Sequence, residues 1–583
     1  MRENQSIRKS LGYQLTYMNL NIKATQQNTY DAIVVGSGIS GGWAAKELSE
    51  KGLKVLVLER GRGVEHIKDY PTALLNPWDF EHGLSNTKQD LIENPVQSTT
   101  YDEGNKHFFV SDREHPYLQD KPFRWIRGYQ VGGRSLTWGR QCYRWSDLDF
   151  EANSKEGVAV DWPIRYQDIA PWYDYVEQYI GLSGRAENIP HLPDSKFLPP
   201  IPFNCVEQHF AEQVAAKFTD RLVTPARIAN LTEAVNGRGP CQYRNLCSRG
   251  CPFGAYFSSN ASTLPAAMAT GNTTIRPFST VKEILYDKET ARATGIRISD
   301  TNTLEEIEFY SRIIFVNAST IATAALLLNS TSEVFPNGMG NGSLQVGHNL
   351  MDHQLTSGAE GDYEGFKDHY YFGRTPGSMY IPRFQNTGRA NTKREFSRGY
   401  AYQGKAFRQS WRDRSLAVEG FGENFKEEIS KPGPWKIWLG AWGEVLPYYD
   451  NKIYLSATQK DTWGLPLVHV DFEYRENETR MRNDMKEDAI AMLKQAGFSN
   501  ISGFTYDSPG GSAVHEMGTA RMGNDPKTSV LNGFNQLHEV KNVFITDGSC
   551  MTSSGTQNPS LTYMALTARA CNFAVEEIKK GVL

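Results

Sequence analysis

Two clusters of residues in this sequence carry chemistry by type and spacing. Gly36-Ser-Gly38-Ile-Ser-Gly41 fits the pattern G-x-G-x-x-G. In such a turn the first glycine makes a tight bend and the second lets backbone approach a pyrophosphate. The third lets a helix pack closely on a strand. Phosphates then sit on free N–H groups at the helix N-terminus. Glu59, at the end of the next apolar run, stands where a carboxylate accepts from a ribose hydroxyl. The turn predicts a dinucleotide and does not separate NAD from FAD. The second cluster is Cys241, Cys247 and Cys251, followed by Pro252. Thiols so crowded suit a soft metal or cluster, and C-x3-C-P closes a ferredoxin-type run. Three cysteines match a three-iron cluster, or a four-iron one with an outside ligand such as Cys205. Zinc wants a fourth ligand, for which no adjacent His offers itself. Arg244 and Arg249 suit a negatively charged cluster, or are plain solvated loop charges.

The elements that must position these groups read as follows. Asp31-Ala-Ile-Val-Val35 is a short apolar strand, and a helix follows the turn with Ala44, Ala45 and Leu48 on one face. Lys54-Val-Leu-Val-Leu58 is a second strand, which completes a βαβ unit. Residues 71–122 and 199–265 are polar or loop-like, and the latter hold the cysteines. Thr274 to Phe309 alternates like antiparallel strands, with Arg312 to Val316 as another. From about Tyr363 to Tyr474 short alternating aromatic runs predict a second domain on an antiparallel sheet. Tyr370-Tyr-Phe372 and Trp435 to Trp442 there are candidates to stack a pyranose ring, or core. The last 70 residues return to strand, loop and long helix.

The 583 residues are enough for two domains. A net charge of −4 without a long basic run gives no case for nucleic acid or an anionic membrane surface. The longest apolar stretch, Ile313 to Leu328, is broken by Asn317, Ser319, Thr320 and Thr323. It falls short of the roughly 20 apolar residues of a spanning helix. The first 28 residues are polar and lack a secretory apolar core, and Arg2 and Arg8 form no twin pair. The expectation is a flexible or partner-binding arm and no export address of its own. Seven cysteines, an odd number, do not suggest a disulfide framework. Cys142, Cys205, Cys550 and Cys571 read as buried thiols.

His515-Glu-Met-Gly-Thr-Ala-Arg-Met-Gly523, Asn542-Val-Phe-Ile-Thr-Asp-Gly548 and Asn558-Pro-Ser-Leu-Thr562 resemble the C-terminal signature of the glucose–methanol–choline oxidoreductases. Gly128-Tyr-Gln-Val-Gly-Gly-Arg-Ser135 with Trp138, Val346-Gly-His-Asn-Leu-Met-Asp-His353 and the opening βαβ fit the same family, in its order. The resemblance implies an α/β fold: a Rossmann-like FAD-binding domain and a substrate domain on an antiparallel sheet with helices. The expected division is 29–345 plus 512–583, with an iron–sulfur loop at 238–256, against 346–511. Cofactor contacts implied are Gly36, Ser37, Gly38, Gly41, Glu59, Arg60, Gly132, Gly133, Ser135, Val281, Asp547, Gly548, Asn558, Pro559 and Ser560. The His/Asn pair at the substrate falls on His515 and Asn558. A neutral imidazole is suited to take a hydroxyl proton, and an amide to fix the hydroxyl. Outside the motif His515 reads as a satisfied core histidine. Asn558 has a competing reading as a helix cap with Pro at the first position.

Within the family the chain resembles bacterial sugar dehydrogenases and pyranose oxidases. Thr137 stands where the latter carry a flavin-linked His, so noncovalent FAD is expected. Ala318-Ser-Thr stands where many relatives have Gly. The cysteine spacing resembles the [3Fe-4S] site of FAD-dependent glucose, fructose and glucoside dehydrogenases. That implies a small escort subunit, a cytochrome c acceptor and delivery to the periplasm by the escort, with the cytoplasm otherwise. The expected reaction is oxidation of a secondary or anomeric pyranose hydroxyl, C3 of glucosides first and C1 of glucose next. Other readings are glucose, fructose or gluconate dehydrogenase, an oxygen-using pyranose oxidase with a structural cysteine loop, a lyase keeping FAD as scaffold, and an electron-transfer subunit with a vestigial site.

Overall fold

The computed structural model describes residues 28–370, 376–388, 392–415 and 418–583. The expected N-terminal arm falls outside them apart from residue 28, as do Tyr371 and Phe372. The opening unit is β1 (Thr29–Val35), α1 (Ile39–Glu50) and β2 (Val55–Leu58), with β3 (Leu118–Gln119), α2 (Tyr166–Ile180), α3 (Cys205–Lys217) and β4 (Thr224–Pro225) after it. Then come β5 (Thr273–Arg276), β6 (Ser279–Asp287), β7 (Arg292–Asp300), β8 (Glu306–Val316) and α4 (Thr320–Asn329). They lead to β9 (Gln354–Tyr363), β10 (Met379–Ile381), β11 (Tyr400–Arg408) and β12 (Trp435–Gly443). The chain closes with β13 (Lys452–Lys460), β14 (Pro466–Asp471), α5 (Glu476–Gln495), β15 (Ser499–Thr505), β16 (Val543–Ile545) and α6 (Ser560–Lys579).

The first sheet runs β5-β2-β1-β8-β7-β6, with β16 also on β8. The strands around the glycine turn are parallel, while β7 is antiparallel to β6 and β8. Parallel strands covered on both faces read as continuous apolar runs, and Ala32 to Val35 and Val55 to Leu58 are all buried. The alternation expected up to Phe309 and the run from Arg312 belong to one strand. β8 pairs β7 with its first half, and its second half lies between β1 and β16. Its pattern therefore changes from half-exposed to fully buried midway.

The second sheet, β15-β9-β12-β11-β10-β4, is antiparallel throughout. One face carries Leu439, Tyr402 and Ile437 against Phe210 of α3 and Met485 and Met492 of α5. Trp435 belongs to that core at 1% exposure, so of the two readings given for its stretch the core one holds at this residue. Trp438 and Trp442 alternate onto the opposite face and are half-buried. Two segments cross between the sheets. β4, which precedes β5 of the first sheet in the chain, edges the second; the β13–β14 hairpin pairs with β3 in a third, three-stranded sheet and packs on α4.

Candidate active site

A cavity of about 450 Å³ runs from Gly36, Ser37, Gly38, Glu59 and Arg60 at one end to His515 and Asn558 at the other. Gly36 holds φ +92°, and a Cβ there would stand 2.4 Å from the Asn317 carbonyl oxygen. Gly41 does not line the cavity. Its Cβ would stand 1.9 Å from the Gly36 carbonyl oxygen, so its part is to let α1 close on the turn. Gly38 caps α1 without a side-chain bond, which leaves the first N–H groups of the helix for a ligand. Glu59 binds the turn itself: Oε2 accepts from the Ser37 N–H at 3.2 Å and from its hydroxyl, and Oε1 from the Gly61 N–H at 3.0 Å. Burial pushes this carboxyl up from its ordinary range. The Ser37 hydroxyl accepts from the Gly132 N–H at 3.0 Å, which ties in the Gly132–Gly133 bend. Arg60 pairs with Asp461 at 2.9 Å, between the rings of Tyr129 and Trp463.

The middle of the cavity is lined by Gly133, Ser135, Val281, Asp547, Gly548, Pro559 and Ser560. Gly132 stands just behind, its absent side chain leaving room for the Asn260 amide. Ser319 holds φ +78°, a conformation side chains rarely adopt. The Asp547 carboxylate accepts from its N–H at 2.9 Å and holds it there. On the same walls the Asn317 amide nitrogen and the Tyr563 hydroxyl are buried without a protein partner. A buried donor left unmatched costs about 1–3 kcal/mol, so this wall is built for a ligand with acceptors. The turn, Glu59, the uncapped helix and these orphan donors together fit a dinucleotide.

The far end is organised by one directional chain of hydrogen bonds. His353 Nε2 contacts the Gly555 carbonyl, which only accepts, so Nε2 carries the proton and Nδ1 the lone pair. His353 Nδ1 lies 2.9 Å from His515 Nδ1, which must then be the donor. His515 Nε2 is left with a lone pair, and the Asn558 amide donates to it at 3.1 Å. Asn558 Oδ1 accepts from Gln403 Nε2 at 2.9 Å, and Gln403 Oε1 from Gln141 Nε2 at 2.6 Å. Both imidazoles are neutral. Burial drives His353 down to about 4, and drives His515 well below the usual histidine range, with His353 and Arg134 adding to it. Asp352 fixes the loop by accepting from the His515 N–H at 3.0 Å and the Ala513 N–H at 3.2 Å. The result is an unprotonated nitrogen at the cavity wall, its one lone pair held by the Asn558 amide. Asn558 does not cap α6, which starts after Pro559 without a side-chain cap; its side chain is free for His515. Sequence reasoning did not assign His353, although it closes a quoted motif. It missed Gln403, Gln141, Asp461 and Trp463, which only tertiary packing brings here.

The cysteine loop lies elsewhere. Cys241, Cys247 and Cys251 line one small pocket with Asn230, Arg244 and Tyr256. All seven thiols are free, and burial pushes Cys241 up, with Cys247 and Cys251 adding to it. Among the described residues no group of three or more His, Cys, Asp or Glu side chains is gathered closely enough to hold a metal ion. The chain alone thus does not preform the expected ligand set. Cys205 is no fourth ligand either: it packs on the core of the second sheet, at the start of α3.

Comparison with known proteins places these observations. Residues 30–355 and 447–567 match the N- and C-terminal family models described as GMC oxidoreductase. The chain is 28% identical to 2-methyl-1,2-propanediol dehydrogenase of Mycolicibacterium austroafricanum, over 94% of this chain and 96% of that one. It is 25% identical to the fructose dehydrogenase large subunit of Gluconobacter japonicus, over 94% and 98%. The fold resembles pyridoxine 4-oxidase from Mesorbium loti, with a TM-score of 0.58 at 15% identity, over 94% and 99% of the two chains.

Proposed function

We propose, for a chain that belongs to the GMC oxidoreductase family and so is an FAD-dependent oxidoreductase of CH–OH groups, that the group oxidised is a hydroxyl of a pyranose sugar or glycoside. The unprotonated His515 Nε2, directed into the cavity by the Gly555–His353 bonds, carries this reading. FAD, when bound, supplies the hydride acceptor. Gly36, Ser37, Gly38, Glu59, Gly133, Ser135, Val281, Asp547, Gly548 and the start of α6 would hold it. The substrate hydroxyl takes the place of the Asn558 amide at His515 Nε2, His515 accepts its proton, and the displaced amide donates to the hydroxyl oxygen and orients it. The fructose dehydrogenase named above supports a sugar. Oxidation at C3 of a glucoside is the form we favour.

Adding glucose, fructose, methyl glucoside or a small diol to the anaerobic flavoprotein tests this. A sugar should bleach the flavin faster than the diol, and acid precipitation of the oxidised protein should leave the yellow colour in the supernatant, since Thr137 offers no covalent link. Bleaching by the diol alone would replace the sugar reading.

We further propose that Cys241, Cys247 and Cys251 close around an iron–sulfur cluster of the [3Fe-4S] type, which when bound supplies a one-electron outlet. Their common pocket and their spacing support this. The name "large subunit" on a relative supports a smaller partner subunit, and we propose that this partner escorts the chain to the periplasm and that a cytochrome c takes the electrons. Anaerobically purified protein should contain iron and acid-labile sulfide. Cys247→Ser should lose both, and lose transfer to a cytochrome, while sugar still reduces the flavin. Iron-free protein turning over with oxygen at full rate would favour the oxidase reading.

A further inference from the structure

The second sheet presents to the catalytic pair a face that the oxidation chemistry does not use. Directly opposed residues on neighbouring antiparallel strands point to the same side. Phe504 on β15 stands opposite Gly358 on β9, Gly358 opposite Gly440 on β12, and Gly440 opposite Gln403 on β11. This row begins at the side chain that holds Asn558. Its two glycines leave a trough without side chains of its own. The Trp438 indole lies along it: a Cβ on Gly440 would meet the Trp438 ring at 2.3 Å. Trp438 and Phe504 are nearly parallel, 9° apart with centroids 6.1 Å apart, and Tyr506 continues from Phe504 at 5.0 Å and 25°. Trp442 stands edge-on to Trp438. Among these rings Tyr506 is 55% exposed, so the strip runs from the reacting end out to solvent. The helices α3 and α5 lie against the other face.

A strip of flat apolar rings with polar groups at its margin suits the C–H faces of a sugar ring. Here Lys405 and Glu360, both exposed, flank Trp438 on the adjoining strands. Two residues along a strand span about 7 Å, so Trp438 starts one short step beyond Gln403, on the order of one sugar unit.

We propose that this strip is a subsite for a second ring, so that the natural substrate is a disaccharide or a cyclic-aglycone glycoside. Its oxidised sugar lies at His515 and Asn558, and its second ring on Trp438 and Phe504. The inference rests on the sugar reading above and deepens it.

The test compares kcat/KM for maltose, cellobiose and phenyl glucoside with that for methyl glucoside. At least one two-ring substrate should be preferred. In Trp438→Ala and in Phe504→Ala that preference should fall about tenfold, the factor one lost ring stack removes, and through KM. Trp438→Phe should restore most of it. No preference for any two-ring substrate in the wild-type enzyme, or an unchanged preference in both alanine variants, overturns the subsite. Failure of every sugar to reduce the flavin overturns the sugar reading instead. Tryptophan fluorescence then decides the subsite: cellobiose binding more tightly than glucose, with the difference lost in Phe504→Ala, sustains it, and equal binding overturns it.

Discussion

His515→Ala is expected to slow sugar-driven flavin reduction by about 10²–10⁴-fold, the usual cost of losing a positioned proton acceptor. FAD content should hold, because Asp352 grips the His515 backbone and not its ring. The wild-type pH profile carries the sharper signature. Protonated imidazole accepts no proton, so the rate falls on the acid side. Burial depresses the His515 pKa, so the neutral form persists below the ordinary histidine range of about 6.5. The rate should therefore stay level through that pH and drop only in more acid solution. The alanine variant should show a slow rate without that limb. A variant that keeps both rate and limb would show that another group takes the proton.

The second large effect is on cofactor loading. Gly41→Ala places a methyl 1.9 Å from the Gly36 carbonyl oxygen and 2.8 Å from its carbon, and both are backbone atoms that cannot swing away. Overpacking of this kind costs about 1–3 kcal/mol. Here the strain acts on the turn that offers its N–H groups to phosphate. The variant should purify nearly colourless and melt earlier than flavin-free wild type. Gly38→Ala separates the two effects. Nothing lies within 4 Å of its new methyl, which points into open space at the cavity. It should melt like the flavin-free wild type and still bind FAD poorly. Full flavin content in Gly41→Ala, measured by visible absorbance per chain, would remove the turn from the cofactor site.

The parts of this site that sequence made legible are local. β1, the turn, α1 and β2 occupy one continuous stretch, and glycine spacing, apolar run and terminal carboxylate all lie within it. The His515 and Asn558 segments carried a recognisable pattern of residues. What escaped depends on register and on distant packing. Trp435 and Trp438 are equal as residues; the alternation of one strand sends the first into the core and the second to the open face. Asn558 satisfied the pattern of a helix cap, and the choice went to His515 through Gln403, which lies 155 residues away. The cysteine spacing suggested a ligand set that the folded chain does not gather unaided, and placed Cys205 with thiols it does not approach.

The Arg60–Asp461 pair has a consequence for biosynthesis. Its partners are 401 residues apart. At about 5–20 residues per second, Asp461 leaves the ribosome roughly 20–80 s after Arg60. The helix that packs on α1, α6, is made later still, from Ser560 onward. The glycine turn therefore waits for both the Asp461 partner of Arg60 and the helix behind it. Flavin capture then waits for the emergence of α6, and a product truncated before Ser560 should be released colourless, however early its nucleotide turn was made.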